Sequence, residues 1–150
     1  MIIIEIIQYV LAAVMGLLLG YQLLLSLAAL WTTKRTNFHT GRNRRFAIVI
    51  PAHNEEQVLA KSLYSMSGLV YPKNMYDLIV VADNCTDRTA RIARDIGAKV
   101  LERENATERG KGYALRWAFD QILSWEKSYD AIIVFDSDSL VSGNYLDVMN

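Results

Sequence analysis

The triplet Asp136-Ser137-Asp138 holds two carboxylates at a spacing that suits metal binding. It directly follows the apolar run 131–135, which is typical of a buried strand. Side chains at i and i+2 of an extended backbone point to the same side, so a strand continuing past Phe135 would aim both carboxylates at one spot. Mg²⁺ and Mn²⁺ commonly take one or two carboxylates and complete their shells with water and phosphates. The alternative is a solvated turn, since aspartate is also common in turns.

Two other strand-like runs also end in polar residues. Run 46–50 leads into the stretch Pro51-Ala52-His53-Asn54-Glu55-Glu56, and run 76–82 leads into Asp83-Asn84-Cys85-Thr86-Asp87. Open parallel sheets bind ligands outside the carboxyl ends of their strands, so three polar ends favour a common site.

Each of these residues also has a purely structural interpretation. Asp83 is either a ligand of a base or ribose or the start of an Asx turn, and His53 is either a ligand contact or structural. Asn54 and Thr86 suit the N-caps of the helices that follow, and Asp87 suits the first turn of the second helix.

The sequence argues for a nucleotide held through a metal ion. No G-x-G-x-x-G and no P-loop follows the first strand. An acidic site without a glycine-rich cradle repels a diphosphate unless a divalent cation bridges them. The stretch Arg109-Gly110-Lys111-Gly112 either adds a cation and helix N-terminal amides for an anion or forms a loop with solvated charges.

Alternating short apolar runs and segments of helical period predict an α/β fold with a mainly parallel sheet. We expect strands at 46–50, 76–82, 98–101 and 130–135, and helices at 55–67, 86–97, 112–125 and 144–149. Because the chain stops within the last of these helices, we expect it to be the N-terminal part of a longer polypeptide.

Residues 1–31 predict a transmembrane anchor ahead of this fold. The segment Tyr9–Leu30 is long enough to cross a bilayer, and Gln22 is its only strongly polar residue. A cleaved leader is disfavoured, because the start lacks a cationic region and the apolar run is too long. Residues 32–45 form a basic linker, which by the positive-inside rule places the following domain in the cytoplasm.

Charge and cysteine content narrow the partners and the compartment. The linker carries five basic and no acidic side chains, whereas residues 46–150 carry 11 basic and 15 acidic ones, about −4 in net charge. Nucleic acid is thus excluded as a partner of the domain, and the linker suits anionic membrane lipid. The single cysteine, Cys85, fits a reducing compartment and is expected to be an inert thiol.

At this point residues 46–150 resemble the family 2 glycosyltransferases with the GT-A (Rossmann-like) fold, in particular the membrane-embedded cellulose, hyaluronan and poly-N-acetylglucosamine synthases. The resemblance is carried, in this order and spacing, by the segments 48–56, 80–89, 110–115 and 134–138. It implies that Asp83 contacts uracil, that Lys111 lies near the nucleotide and that Asp138 ligates Mg²⁺ or Mn²⁺. The implied nucleotide-sugar-binding residues are Pro51, Ala52, His53, Asn54, Glu55, Asp83, Lys111, Asp136 and Ser137, and the implied metal ligands are Asp138 and Asp136.

The resemblance implies a membrane-anchored inverting transferase that moves a sugar from a UDP-sugar donor to a polysaccharide or lipid-linked acceptor. His53 stands where the family often has tyrosine. The family's catalytic aspartate and its Q-x-x-R-W motif are expected beyond Asn150. One alternative is a non-catalytic, membrane-tethered nucleotide-binding module. A metal-dependent nucleotidyltransferase is disfavoured, because His53-Asn54-Glu55 occupies the place of the glycine-rich basic loop of such enzymes.

Overall fold

The structure, a computed structural model, describes residues 2–31, 41 and 43–150. The chain divides into two compact units, residues 1–37 and residues 38–150. Most of the predicted basic linker, including Lys34, Arg35 and Arg42, lies outside the described residues.

In the first unit the described residues form one helix, α1 (Ile2–Trp31), with Glu5 as the only charged residue of that helix. Among the described residues it is the one helix long and apolar enough to cross a membrane, with a candidate span at Ile2–Ala29 and a mean hydropathy of 2.4. Leader sequences near an N-terminus share this length and composition, so α1 is a candidate span.

The second unit is a four-stranded parallel sheet flanked by helices, as the sequence predicts. Its strands are adjacent in the order β3-β2-β1-β4. The strands are β1 (Phe46–Ala52), β2 (Tyr76–Asp83), β3 (Lys99–Arg103) and β4 (Ala131–Val134). The helices are α2 (Leu59–Ser67), α3 (Thr89–Asp95), α4 (Lys111–Leu123) and α5 (Tyr145–Met149), and a short 3-10 helix spans Lys73–Met75.

Both faces of the sheet are covered, which explains why β1 and β2 are continuously apolar. Successive side chains of a strand point to opposite faces, so each strand supplies both cores. Ile48 and Ile50 pack with Leu63 of α2 on one face, whereas Val49 packs with Ala118 of α4 on the other. The sheet is thus held rigidly between two helical layers.

Helices α2 and α3 begin later than predicted. The N-cap of α2 is Val58 and that of α3 is Arg88, so the predicted caps Asn54 and Thr86 are wrong. Both residues instead belong to connecting loops that bond to each other. The predicted stop at Gly97 is confirmed, since this residue follows α3 with a φ of +92°.

The pairing between strands β1 and β4 stops before β1 ends. Their register runs from Phe46 opposite Ala131 to Val49 opposite Val134, and the Phe135 amide donates to the Val49 carbonyl at 3.1 Å. Beyond this point β1 continues to Ala52 paired with β2. A cleft therefore opens between the end of β1 and the chain that follows β4.

Candidate nucleotide-sugar site

A cavity of about 360 Å³ lies at the carboxyl ends of β1, β2 and β4, where the sequence predicts a common site. It is lined by strand-end residues and by the start of α4. The lining residues are Pro51, Ala52, His53, Glu55, Asp83, Asn84, Arg109, Gly110, Lys111, Ala114, Asp136 and Ser137. Eight of the predicted site residues are thus brought together, whereas Asn54 and Asp138 are not among the lining residues.

Asp83 ends β2 as a buried carboxylate with a charged partner. Its side chain is 8% exposed, and its Oδ1 accepts a hydrogen bond from Nη1 of Arg103 at 2.7 Å. Arg103 ends β3 directly opposite Asp83 in the sheet register. A buried carboxylate needs such a pairing, because an isolated charge is costly away from water. Sequence reasoning missed Arg103, because the third strand was predicted to end at Leu101 and nothing in the sequence separates Arg103 from the exposed charges Lys99 and Glu102 of the same strand.

His53 is oriented by the main chain of Asp83. Its Nδ1 lies 2.7 Å from the Asp83 carbonyl oxygen. A carbonyl oxygen only accepts hydrogen bonds, so Nδ1 must be the protonated nitrogen that donates. In the neutral ring, Nε2 then remains as an acceptor. The ring presents a flat surface and an acceptor edge at the cavity.

The β1–α2 and β2–α3 loops are joined by side-chain to backbone hydrogen bonds. Asn54 Oδ1 accepts from the Thr86 amide at 2.8 Å, and the Glu55 amide donates to Thr89 Oγ1 at 2.8 Å. Cys85 is half-buried between these loops and donates to the Ala52 carbonyl at 3.4 Å. Burial raises the pKa of its thiol, which agrees with the predicted inert role.

Two carboxylates complete this connection. The Glu56 amide donates to Asp87 Oδ2 at 3.1 Å, and Glu56 Oε2 accepts from the Arg88 amide at 3.0 Å. The bond from the Arg88 amide lowers the pKa of Glu56. Partial burial opposes ionisation of Asp87, but hydrogen bonds from Thr89 outweigh it and lower the pKa of Asp87. Asp87 thus connects the two loops, a role that helix-dipole reasoning did not predict.

Lys111 and Asp136 form an ion pair at the opposite side of the cavity. Both side chains are more than half exposed, so they remain accessible to a ligand. Lys111 is the first residue of α4, and its N-cap Gly110 has a φ of +108°, a left-handed conformation that favours glycine. Arg109 also lines the cavity, so its lining includes two cations and a helix N-terminus.

The triplet Asp136-Ser137-Asp138 does not continue the strand and instead forms a turn, the alternative that the sequence left open. Strand β4 ends at Val134, and the Ser139 amide donates to the Asp136 carbonyl at 3.1 Å, which closes a turn. The ladder with β1 has ended by this point, so no pairing keeps the segment extended, and aspartate and serine favour turns. Asp136 consequently lines the cavity, whereas Asp138 is exposed on the turn.

The side chains of this turn nevertheless suit a divalent cation as ligands. The described residues contain no group of three or more histidine, cysteine or acidic side chains arranged for a metal. Mg²⁺ and Mn²⁺ do not require such a group, since one or two carboxylates with substrate phosphates and water complete their shells. Asp136 and Asp138 supply two carboxylates.

A parallel sheet with a polar cavity at its strand ends defines the class of open α/β domains that bind ligands at that edge. Within this class the chain belongs to glycosyl transferase family 2, whose family model matches residues 47–149. This membership and the structural neighbours below confirm the GT-A fold.

Two relatives show how much of a longer protein is matched. "Probable glycosyltransferase YdaM" of Bacillus subtilis is 36% identical over 63% of this chain and 23% of its own length. "Beta-monoglucosyldiacylglycerol synthase" of Nostoc sp. is 33% identical over 67% of this chain and 21% of its own length. The chain therefore spans less than a quarter of the length of these relatives.

Two solved structures are similar in three dimensions. The mannosyltransferase PcManGT of Pyrobaculum calidifontis, in complex with GDP-Man and Mn²⁺, has a TM-score of 0.67 at 21% identity and covers 85% of this chain and 38% of its own. Glucosyl-3-phosphoglycerate synthase of Mycobacterium tuberculosis, in complex with Mn²⁺, UDP and glucosyl-3-phosphoglycerate, has a TM-score of 0.51 at 33% identity and covers 63% of this chain and 33% of its own. At 21% identity, the similarity to PcManGT shows a shared fold alone.

Proposed function

We propose that residues 46–150 are the nucleotide-sugar-binding part of a membrane-anchored inverting glycosyltransferase. The enzyme transfers a sugar from a UDP-sugar to a polysaccharide or lipid-linked acceptor and depends on Mg²⁺ or Mn²⁺. One observation carries this proposal: a single cavity gathers Asp83, Lys111 and Asp136 from three separate segments of the chain. This supports a site at which Asp83 would accept a hydrogen bond from the base and Lys111 would bind the phosphates.

In this proposal the two sides of the cavity hold different parts of the donor. Asp83 accepts a hydrogen bond from uracil. The base and ribose are lined by Pro51, Ala52, His53 and Glu55. Lys111, Arg109 and the first amides of α4 bind the diphosphate. Asp136 and Asp138 hold the cation, which when bound stabilises charge on the departing nucleoside diphosphate. The general base is supplied from beyond Asn150.

The relatives support the donor and narrow the acceptor. The Mycobacterium tuberculosis synthase is 33% identical and was solved with UDP and Mn²⁺, which favours a uridine donor and a divalent cation. The Nostoc relative is named for a diacylglycerol product, which favours a lipid acceptor. Membership of the processive polysaccharide-synthase branch stays a prediction, and product length distinguishes it: that branch makes polymers, whereas a lipid transferase adds a single sugar.

The metal ligands can be tested by replacing Asp138 with alanine. Because Asp138 does not line the cavity, Asp138→Ala should remove a cation ligand without disturbing the base side. We expect Mn²⁺-dependent UDP binding, measured by calorimetry on the chain in detergent, to weaken at least about tenfold. Asp120→Ala, an exposed position on α4, is the matched control. Unchanged UDP affinity in Asp138→Ala would remove this residue from the metal site.

A further inference from the structure

The buried Arg103 side chain does not line the cavity, but it contacts Asp83, which does, and Glu108, which directly precedes the lining residue Arg109. Nη1 bonds Asp83 Oδ1 at 2.7 Å and also donates to the main-chain oxygen of Glu108 at 2.9 Å. Nη2 lies 3.4 Å from Glu108 Oε2. A guanidinium has five N–H donors in a rigid plane, so it can hold a carboxylate and a carbonyl at once.

Glu108 belongs to the β3–α4 loop, residues 104–110, which leads directly into Lys111. Asn105 folds this loop: its Oδ1 accepts from the Glu108 amide at 2.9 Å and from the Thr107 amide at 3.0 Å. The Asn105 amide in turn donates to Asn84 Oδ1 at 2.8 Å. The loop is therefore closed on itself by Asn105 and fixed to β2 by Arg103 and Asn84.

We infer that Arg103 is a positioning residue that couples the base side of the cavity to its diphosphate side. This inference rests on the proposed function. Arg103 holds the Asp83 carboxylate with one oxygen, Oδ2, left for the base. The same guanidinium fixes the β3–α4 loop, so that Arg109 and Lys111 face the diphosphate of a nucleotide whose base is already in place. The diphosphate therefore raises the affinity of UDP over that of uridine fully only while Arg103 contacts both Asp83 and Glu108.

Two substitutions separate this coupling from simple stabilisation. Arg103→Lys keeps the positive charge that Asp83 needs but lacks the planar fork that also reaches Glu108. Asn105→Ala opens the loop while leaving the Arg103–Asp83 pair untouched, and this half-buried loop position keeps the test valid if Arg103→Lys fails to fold. The controls are Arg91→Lys and Asn74→Ala, both at exposed positions outside the cavity.

The experiment measures the affinities of uridine and UDP for the 150-residue chain in detergent, by calorimetry in one Mg²⁺ buffer. In both test variants we expect uridine affinity to change by less than about threefold, whereas the ratio of UDP to uridine affinity falls about tenfold. The controls should keep the wild-type ratio. Because an affinity is an equilibrium constant, raising the protein concentration should not restore the wild-type ratio in either variant.

The outcomes distinguish the two proposals. If uridine and UDP affinities fall together in both variants, Arg103 and Asn105 have only a structural role and the coupling is overturned. If neither the uridine affinity nor the UDP affinity changes in either variant, the coupling is overturned as well. If the wild-type chain binds neither uridine nor UDP, the proposed function itself fails, and this inference fails with it.

Discussion

Two asparagines, Asn54 and Asn84, have left-handed backbone conformations where β1 and β2 lead into their loops, with φ values of +55° and +49°. Asparagine tolerates this conformation better than other residues with a Cβ atom. Each side chain also accepts a backbone amide of another loop, from Thr86 and Asn105 respectively. These residues turn the chain sharply at the cavity and fix neighbouring loops to one another.

Alanine and glycine at position 54 should separate backbone strain from the lost hydrogen bond. Both substitutions remove the Oδ1 contact to Thr86, but only alanine is strained at a positive φ. We expect Asn54→Ala to be less stable than Asn54→Gly by about 1 kcal/mol in denaturant unfolding followed by tryptophan fluorescence. At exposed Asn74 the same pair should not show this order. Equal stability of the two position-54 variants would show that the loop relaxes.

Among the helices and strands, the connection from α4 to β4 is fixed to the start of β2 by Asp77. Asp77 Oδ2 accepts from Lys127 at 2.5 Å and from the Tyr129 hydroxyl at 2.7 Å, and Lys99 lies 3.4 Å from Oδ1. Burial opposes ionisation of Asp77, but these partners outweigh it and lower the pKa of its carboxyl. The network lies at the amino ends of the strands, opposite the cavity, so its role is structural.

Asp77→Asn should destabilise the domain in a pH-dependent way. Hydrogen bonds to a charged group typically contribute about 1.5–3 kcal/mol, and we expect a loss of about 1–2 kcal/mol at pH 7 because the amide keeps part of the network. The folded pKa is depressed below the ordinary value of 3.8, so the contribution of the carboxylate is complete above this pH and is lost as the pH falls through the folded pKa. The stability gap between wild type and variant should therefore narrow below about pH 4.

The measurement compares unfolding free energies of both proteins from pH 7 down to about pH 2.5. Asp95→Asn is the control, because this residue is exposed and its ion pair with Arg91 is long, at 3.9 Å. A gap that stays constant with pH would mean that the charge of Asp77 contributes nothing to the network.

The strands and most buried positions could be predicted because they follow from local patterns. Short apolar runs identified the strands, and the helical stripe of Leu59, Leu63 and Met66 is buried as expected. The helix starts were mispredicted because Asn54 and Thr86 bond to each other's loops rather than to their own helices. The role of Arg103 could not be predicted for the same reason: its contacts to Asp83 and Glu108 depend on which strands are neighbours in the sheet, and local sequence patterns do not specify this. The eight lining residues were found from strand ends and a family motif; their roles remain predictions.

At the scale of the whole molecule, a helix that could span a membrane precedes an α/β domain. The candidate span Ile2–Ala29 is 28 residues long and apolar, with a mean hydropathy of 2.4, which is expected of a helix that meets lipid. The basic linker predicts that the domain is cytoplasmic. Anchor, orientation and the boundary between linker and domain therefore form one proposal that can be tested on the intact chain.

We expect the chain to remain in the membrane fraction after alkaline carbonate washing and to enter the soluble fraction when residues 2–29 are deleted. A green fluorescent protein fused after Asn150 should fluoresce, and alkaline phosphatase fused at the same place should be inactive, because that enzyme needs the oxidising exterior to form disulfides. Active phosphatase would reverse the proposed orientation. A mature protein lacking residues 2–29 would show that α1 is a leader.

The early separation of β1 and β4 has a cause in the covalent structure of one residue, Pro51. Neighbouring residues of a strand point their backbone groups to alternate sides, and the Val49 carbonyl accepts from Phe135 on the β4 side. Pro51, two residues later, faces the same side and would donate the next bond to Phe135, but proline has no amide hydrogen. The two strands therefore stop pairing at this position. Because Pro51 has no amide hydrogen, the cleft stays open and Asp136 remains available to a ligand.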